Sequence, residues 1–176
     1  MGTAANSKKT YNPKWYKNKE RKEHCLRIAR SGEALFAKLT SAEKTSTEED
    51  KAHKDFIWNG KAVDVKGLKP MHLDGYILVE MQNTWGYHGW AAKQSKAEII
   101  AFQMEDHFII VDKSDLRDLT ISLCEPYGVD AVRRENFVKP EDGLYKWIGR
   151  MYKKDIFTYL KISDLDNINK EILSFV

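Results

Sequence analysis

Lys61-Ala-Val-Asp64-Val-Lys66-Gly67 and, further on, Gly75-Tyr-Ile-Leu-Val-Glu80-Met-Gln82-Asn83 are the stretches on which the reading of this chain turns. Each is an apolar run of strand length carrying an acidic residue, although Asp is depleted from strands and a carboxylate is costly to bury unpaired. One reading makes Asp64 and Glu80 strand-end charges held by Lys61 or Lys66. The other brings them together. Two carboxylates on neighbouring strands suit Mg2+, which takes oxygen ligands in tight octahedral geometry and binds through one or two carboxylates plus substrate phosphate. That second reading predicts metal-dependent hydrolysis of a phosphodiester.

Working outward, Phe56-Ile-Trp58 and Lys61-Ala-Val-Asp-Val65 flank Asn59-Gly60. Asn-Gly between such runs signals a hairpin, because both residues tolerate positive φ. The nearly unbroken apolar run Tyr76–Met81 reads as a strand buried on both faces. Residues 95–103 and Phe108–Val111 read as further strands, and Ser114-Asp115 as the cap of a helix over 115–124. Upstream, Leu26, Ile28, Ala29, Leu35, Phe36 and Leu39 give an apolar helix face between Lys19 and Thr40, which Ser31-Gly32 could split in two. Residues 41–54 read as an exposed loop or a loosely held helix. Tyr145–Ile148 and Ile156–Leu160 fit strands or helical turns equally, and Ser163-Asp164 opens a closing helix. The expected fold is a mixed α/β (α+β) domain with a central mixed sheet flanked by helices.

A chain of 176 residues fits one domain. Residues 1–18 read as a loose basic arm and 19–176 as a single domain. The 29 Lys and Arg against 26 Asp and Glu leave a net charge of only +3, so the distribution is more informative than the sum. Lys8, Lys9, Lys14, Lys17, Lys19, Arg21 and Lys22 cluster against one acid, Glu20, with Tyr11, Trp15 and Tyr16 among them. Such a segment is either a solvated arm or a contact for phosphates and bases. Cys25 and Cys124 lack metal-ligand spacing, which argues against a zinc site, and read as free thiols. No apolar run reaches membrane-spanning length and the N-terminus has no apolar signal core, so a cytoplasmic protein is expected.

Taken in order, Gly32-Glu33-Ala-Leu-Phe on a helix, Asp64 on a strand, Glu80-x-Gln82 on the next and Ala97-Glu98-Ile-Ile after it resemble the PD-(D/E)XK nuclease superfamily. The resemblance covers residues 32–112. It implies a restriction-endonuclease-like core with a helix glutamate, then a strand aspartate and a Glu-x-Lys on the following strand forming the metal site. Carried over residue by residue, it makes Asp64, Glu80, Glu33 and the Met81 carbonyl the ligands of Mg2+, for which Mn2+ can substitute. The implied activity is hydrolysis of DNA in repair, recombination, restriction or phage DNA processing. RNA is not excluded as a substrate, and a homodimer is a reasonable form. Gln82 departs from the pattern, because it stands where the family usually has lysine. Glutamine can orient water but adds no charge. Lys66, Lys93 and Lys96 are candidate substitutes.

Between the second acidic strand and the next lies Asn83-Thr-Trp85-Gly86-Tyr87-His88-Gly89-Trp90-Ala-Ala-Lys93-Gln94-Ser95-Lys96. Its rings could stack bases and its lysines meet phosphates, which makes Trp85, Tyr87, Trp90, Lys93 and Lys96, with Lys14 and Lys17 of the arm, the candidate nucleic-acid contacts. Packing is an equally good reading for Trp85 and Trp90. Metal-activated water does not need His88. Glu98 reads as supporting structure. The alternative to a nuclease is an inactive protein of the same fold that binds nucleic acid or a protein partner.

Overall fold

The computed structural model describes residues 13–50, 52–124, 129–132, 145–150 and 153–175. In chain order the elements are α1 (Pro13–Thr40), β1 (Glu43–Lys44), α2 (Thr47–Asp50), β2 (Phe56–Trp58), β3 (Lys61–Lys66), α3 (Pro70–Leu73), β4 (Tyr76–Gln82), β5 (Ile99–Gln103), β6 (His107–Asp112), α4 (Lys113–Cys124), β7 (Val129–Val132), β8 (Trp147–Arg150), β9 (Ile156–Lys161), a 3-10 turn (Ile162–Asn167) and β10 (Lys170–Ser174). This is the mixed α/β chain expected.

The strands form two sheets, one ordered β1-β2-β3-β5-β6-β10 and the other β4-β9-β8-β7. The first is mixed: β3 pairs antiparallel with β2 and parallel with β5. The hairpin turn falls at Asn59-Gly60, with φ of 50° and 77°, the left-handed conformation that the dipeptide was expected to supply.

Alternation along the strands sets which side of the larger sheet each residue meets. Val63, Val65, Ile99, Ala101, Phe108 and Ile110 form one buried cluster with Phe36 of α1. Ile100, Phe102, Ile109 and Val111 face the other way, into a cluster with Ile77 and Val79 of β4, Leu116 of α4 and Leu160 of β9. The larger sheet is thus a middle layer between α1 and the smaller sheet with α4. Phe36 anchors the helix side, its ring 5.4 Å from Phe108, 5.8 Å from Trp58 and 5.9 Å from Phe56. Glycine lets α1 cross the end of β3: a Cβ on Gly32 would come within 2.7 Å of the Gly67 Cα, and one on Gly67 would fall on the Ile28 carbonyl.

Five expectations need correcting. The helix is continuous through Ser31-Gly32 and begins at Pro13, inside the segment read as a loose arm; the rest of that segment, 1–12, lies outside the described residues. β4 is buried only at alternate positions, Ile77 and Val79, because one of its faces alone meets the core. Glu43-Lys44 form a strand pairing with β2 within the stretch read as loop or helix. The closing helix is a short 3-10 turn followed by β10, which pairs antiparallel with β6. Finally, β3 and β4 are not neighbours. Both edges of β3 are filled, by β2 and β5, while β4 pairs with β9, so chain adjacency did not become sheet adjacency.

Candidate active site

Because Val63 and Val65 face α1, Asp64 and Lys66 face the opposite side of β3. Two residues of one strand separated by a single position stand on the same face, and here they meet. The Lys66 ammonium donates to Asp64 Oδ2 at 2.7 Å. His53 Nδ1 lies 3.7 Å from the same oxygen. Asp64 is only 3% exposed, so its charge is compensated by neighbours rather than by bulk water. Lys66 Nζ also stands 4.8 Å over the ring of Trp90, which fixes the ammonium from below.

Asp55 joins this group, and sequence reasoning missed it. One residue beyond the Phe56↔Val63 pair, it stands across the hairpin from Asp64. Its backbone N–H donates to the Val63 carbonyl, and its Oδ2 accepts the Val65 N–H, each at 2.8 Å. Asp55 is 6% exposed. A legible signal existed: Asp55 opens the β2 run as Asp64 interrupts the β3 run, and the Asn-Gly turn between them fixes the register that places one opposite the other.

Glu80 approaches the same neighbourhood from the other sheet. Burial pushes its carboxyl above the ordinary glutamate value, while Lys66 and then Lys69 pull it back. Lys69 is held below the ordinary lysine value by burial first and by Lys66 second, opposed by Glu80, Cys25 and Asp64. Lys66 and Lys69 are therefore charged neighbours of both Asp64 and Glu80, although β3 and β4 share no ladder. Asp155, which pushes the Glu80 carboxyl further up, is itself paired through Oδ2 with Arg150.

The other expected site residues are placed as follows. Glu33 lies on the α1 side of the larger sheet and is paired with Lys44, whose ammonium covers the Phe56 ring. Gln82 donates its side-chain amide to the Lys154 carbonyl, and the Met81 carbonyl accepts the Gly89 N–H at 2.9 Å. Both are thus engaged within the smaller sheet and its loop. Lys93 and Lys96 are exposed, and the Lys96 N–H bonds the carbonyl of Ala52, next to His53. Trp90 is buried, against Phe102, whereas Trp85 and Tyr87 are 76% and 73% exposed. Lys14 and Lys17 fall in the first turns of α1, and their side chains lie outside the described part. Glu98 ties β3 down, its Oε2 accepting the Ala62 N–H at 2.9 Å.

Asp64, with one lysine at hydrogen-bond distance and one imidazole 3.7 Å away, makes a compact polar group on β3, and the Asp55 carboxylate is bonded one residue along that strand, at the Val65 N–H. Among the described residues no group of three or more His, Cys, Asp or Glu is placed to hold a metal ion. The donor set nonetheless fits Mg2+, which is held by one or two carboxylates when water and phosphate oxygens complete its shell. The lysine suits an anionic substrate arriving at that shell. Among the described residues, no helix is long and apolar enough to cross a membrane. Comparison with protein-family models, with curated proteins and with solved structures finds no match for this chain.

Proposed function

We propose that the chain is a Mg2+-dependent nuclease of the PD-(D/E)XK kind, with a restriction-endonuclease-like core, that hydrolyses phosphodiester bonds in DNA. The carrying observation is that Asp55 and Asp64 stand at opposed positions of the β2–β3 hairpin, one residue beyond the Phe56↔Val63 pair, with the Lys66 ammonium 2.7 Å from Asp64. A strand aspartate followed by a Glu-x-Lys on the next strand is the arrangement that the superfamily resemblance implies. It is met here by Asp55 and Asp64-Val65-Lys66, positions other than Asp64 and Glu80-x-Gln82. The departure at Gln82 then has no bearing on the chemistry, because the lysine of the motif is Lys66. Mn2+ serves in place of Mg2+, the setting is cytoplasmic, and a homodimer would allow both strands to be cut.

In this reading Asp55 and Asp64 supply the carboxylate oxygens for the cation. When bound, the cation supplies Lewis acidity toward the phosphate and lowers the pKa of a water. Lys66 leaves Asp64 to donate to a non-bridging phosphate oxygen or to align the attacking water, contributing a charge where charge develops. His53 and Trp90 hold the Asp64–Lys66 pair in place. Lys66 in turn offsets part of the burial that pushes up the Glu80 carboxyl of the other sheet.

The test is cleavage of single- and double-stranded DNA and RNA with Mg2+, Mn2+ or EDTA, with wild type beside Asp55→Asn, Asp64→Asn, Lys66→Met and Glu80→Gln. The reading expects metal-dependent cutting abolished by the first three substitutions and only reduced by the fourth. Cutting that depends on Glu80 but not on Asp55 would restore the Asp64–Glu80 site. No cutting under any metal would leave the fold without the activity.

A further inference from the structure

Large aromatic side chains seldom stand in water, yet Trp85 and Tyr87 are 76% and 73% exposed. They are not on a loose segment. Asn83 Oδ1 accepts the N–H groups of both Trp85 and Tyr87, at 3.0 and 3.1 Å. The Asn83 N–H bonds the Tyr87 carbonyl, the Gly86 N–H bonds the Asn83 carbonyl, and Gln82 bridges to His88. Gly86 takes a φ of 87° that an L side chain rarely adopts. The result is a tight tip that holds two rings outward at a defined spacing.

The base of this tip carries Arg150, whose charge Asp155 balances, and two lysines. Arg150 Nη2 donates to Thr84 Oγ1 at 3.0 Å, and the Lys154 N–H meets the Thr84 carbonyl at 3.4 Å. The Lys154 stem packs so closely that a Cβ on Gly86 would lie 2.8 Å from its Cδ. Lys153 and Lys154 are both exposed. Down the returning side of the loop, Trp90 lies under the Lys66 ammonium. Trp90 follows Trp85 by five positions, so at about 3.4 Å per residue their backbones lie at most about 17 Å apart.

We infer that the Trp85–Tyr87 tip is a stacking platform for unpaired nucleobases, so that the substrate is a nucleic acid with a single-stranded stretch beside the cut. Two rings facing solvent above a basic ledge match the two chemistries of a single strand, base faces and phosphates. In an intact duplex the base faces are already stacked on one another and out of reach of such rings. This inference rests on the nuclease reading for the location of the cut but not for the binding itself.

The experiment is fluorescence anisotropy of the full-length protein with labelled oligonucleotides in EDTA, where no cutting occurs. Single-stranded, forked and blunt duplex DNA would be compared for wild type, Trp85→Ala/Tyr87→Ala, Trp85→Phe/Tyr87→Phe and Lys154→Gln, with circular-dichroism melts as the folding control. Expected are a tenfold or greater loss of single-strand and fork affinity in the double alanine variant, retention in the phenylalanine variant and a shallower salt dependence for Lys154→Gln. The inference falls if the folded double alanine variant binds single strands like wild type, or if wild type prefers blunt duplex. The two proposals fail separately. Single-strand binding through the rings with no cleavage under Mg2+ or Mn2+ would overturn the nuclease and keep the platform. Metal-dependent cutting that is indifferent to both rings would keep the nuclease and overturn the platform.

Discussion

Asp55→Asn separates the chemistry of the proposed site from its scaffolding. Asp55 Oδ2 accepts the Val65 N–H at 2.8 Å within a site that is 6% exposed. Asparagine has nearly the same shape and its side-chain oxygen can keep that hydrogen bond, so the hairpin register survives. What changes is the charge. Hydrogen bonds to ionised groups contribute about 1.5–3 kcal/mol and neutral ones about 0.5–1.5, so the substitution costs on the order of 1 kcal/mol. For a chain of this size that lowers Tm by about 2–4 °C. Cleavage should suffer far more, at least about a hundredfold, the scale on which losing one preorganised electrostatic contact acts. The assay pairs a thermal melt with single-turnover cleavage in Mg2+. An Asp55→Asn protein that melts within a few degrees of wild type and cuts at an unchanged rate would refute the site. A double Asp55→Asn/Asp64→Asn variant should be no worse than either single one, because the two act as a unit.

Two further predictions concern stability. Glu80 titrates above its ordinary 4.5 in the folded chain, chiefly because burial disfavours its charge. The unfolded chain therefore ionises first, and this group takes stability away as the pH rises past 4.5. Glu80→Gln should melt above wild type at neutral pH, with the difference vanishing below about pH 4.5; a lower melt at neutral pH would mean that Lys66 and Lys69 outweigh burial. Gly67→Ala places a methyl on the Ile28 backbone carbonyl, where no side-chain rotation can relieve it. It should lower Tm more than Gly60→Ala, whose added carbon meets nothing within 4 Å but must adopt a φ of 77°; the reverse order would show that α1 does not cross β3 where described.

What could be read from the sequence was local. The β2–β3 hairpin was legible because Asn59-Gly60 supplies a conformation that few residues accept. The strands β5 and β6 were legible because their apolar runs are dense enough to need burial. β10 was read as part of a helix, since Lys170, Glu171 and Ile172 are exposed and Ser163-Asp164 mimics a cap. Sheet membership was not legible at all. Nothing in Tyr76–Gln82 states that it will pair with β9 rather than β3, because that choice depends on β5 taking the edge of β3. The same non-local fact decided the site. Asp64 was found because it interrupts an apolar run, and Lys66 was weighed as its ion-pair partner and as a substitute for the lysine missing at Gln82. Asp55 was passed over because His53-Lys54-Asp55 looks like the end of a polar loop until the hairpin folds it against Asp64.

The ends of the sheets carry a consequence for self-association. The larger sheet terminates in β1, only two residues long and made of Glu43 and Lys44, and in β10, which begins Lys170-Glu171. The free side of β4 is covered by its own chain, with Gly89 and Ala91 bonding back to the Met81 and Glu80 carbonyls. Short, charged or covered edges resist the addition of a foreign strand. Two copies of this molecule will therefore not zip together through their backbones at these three edges. Any pair that forms there must meet side chain to side chain, which makes its contacts open to disruption by single surface substitutions without loss of the fold.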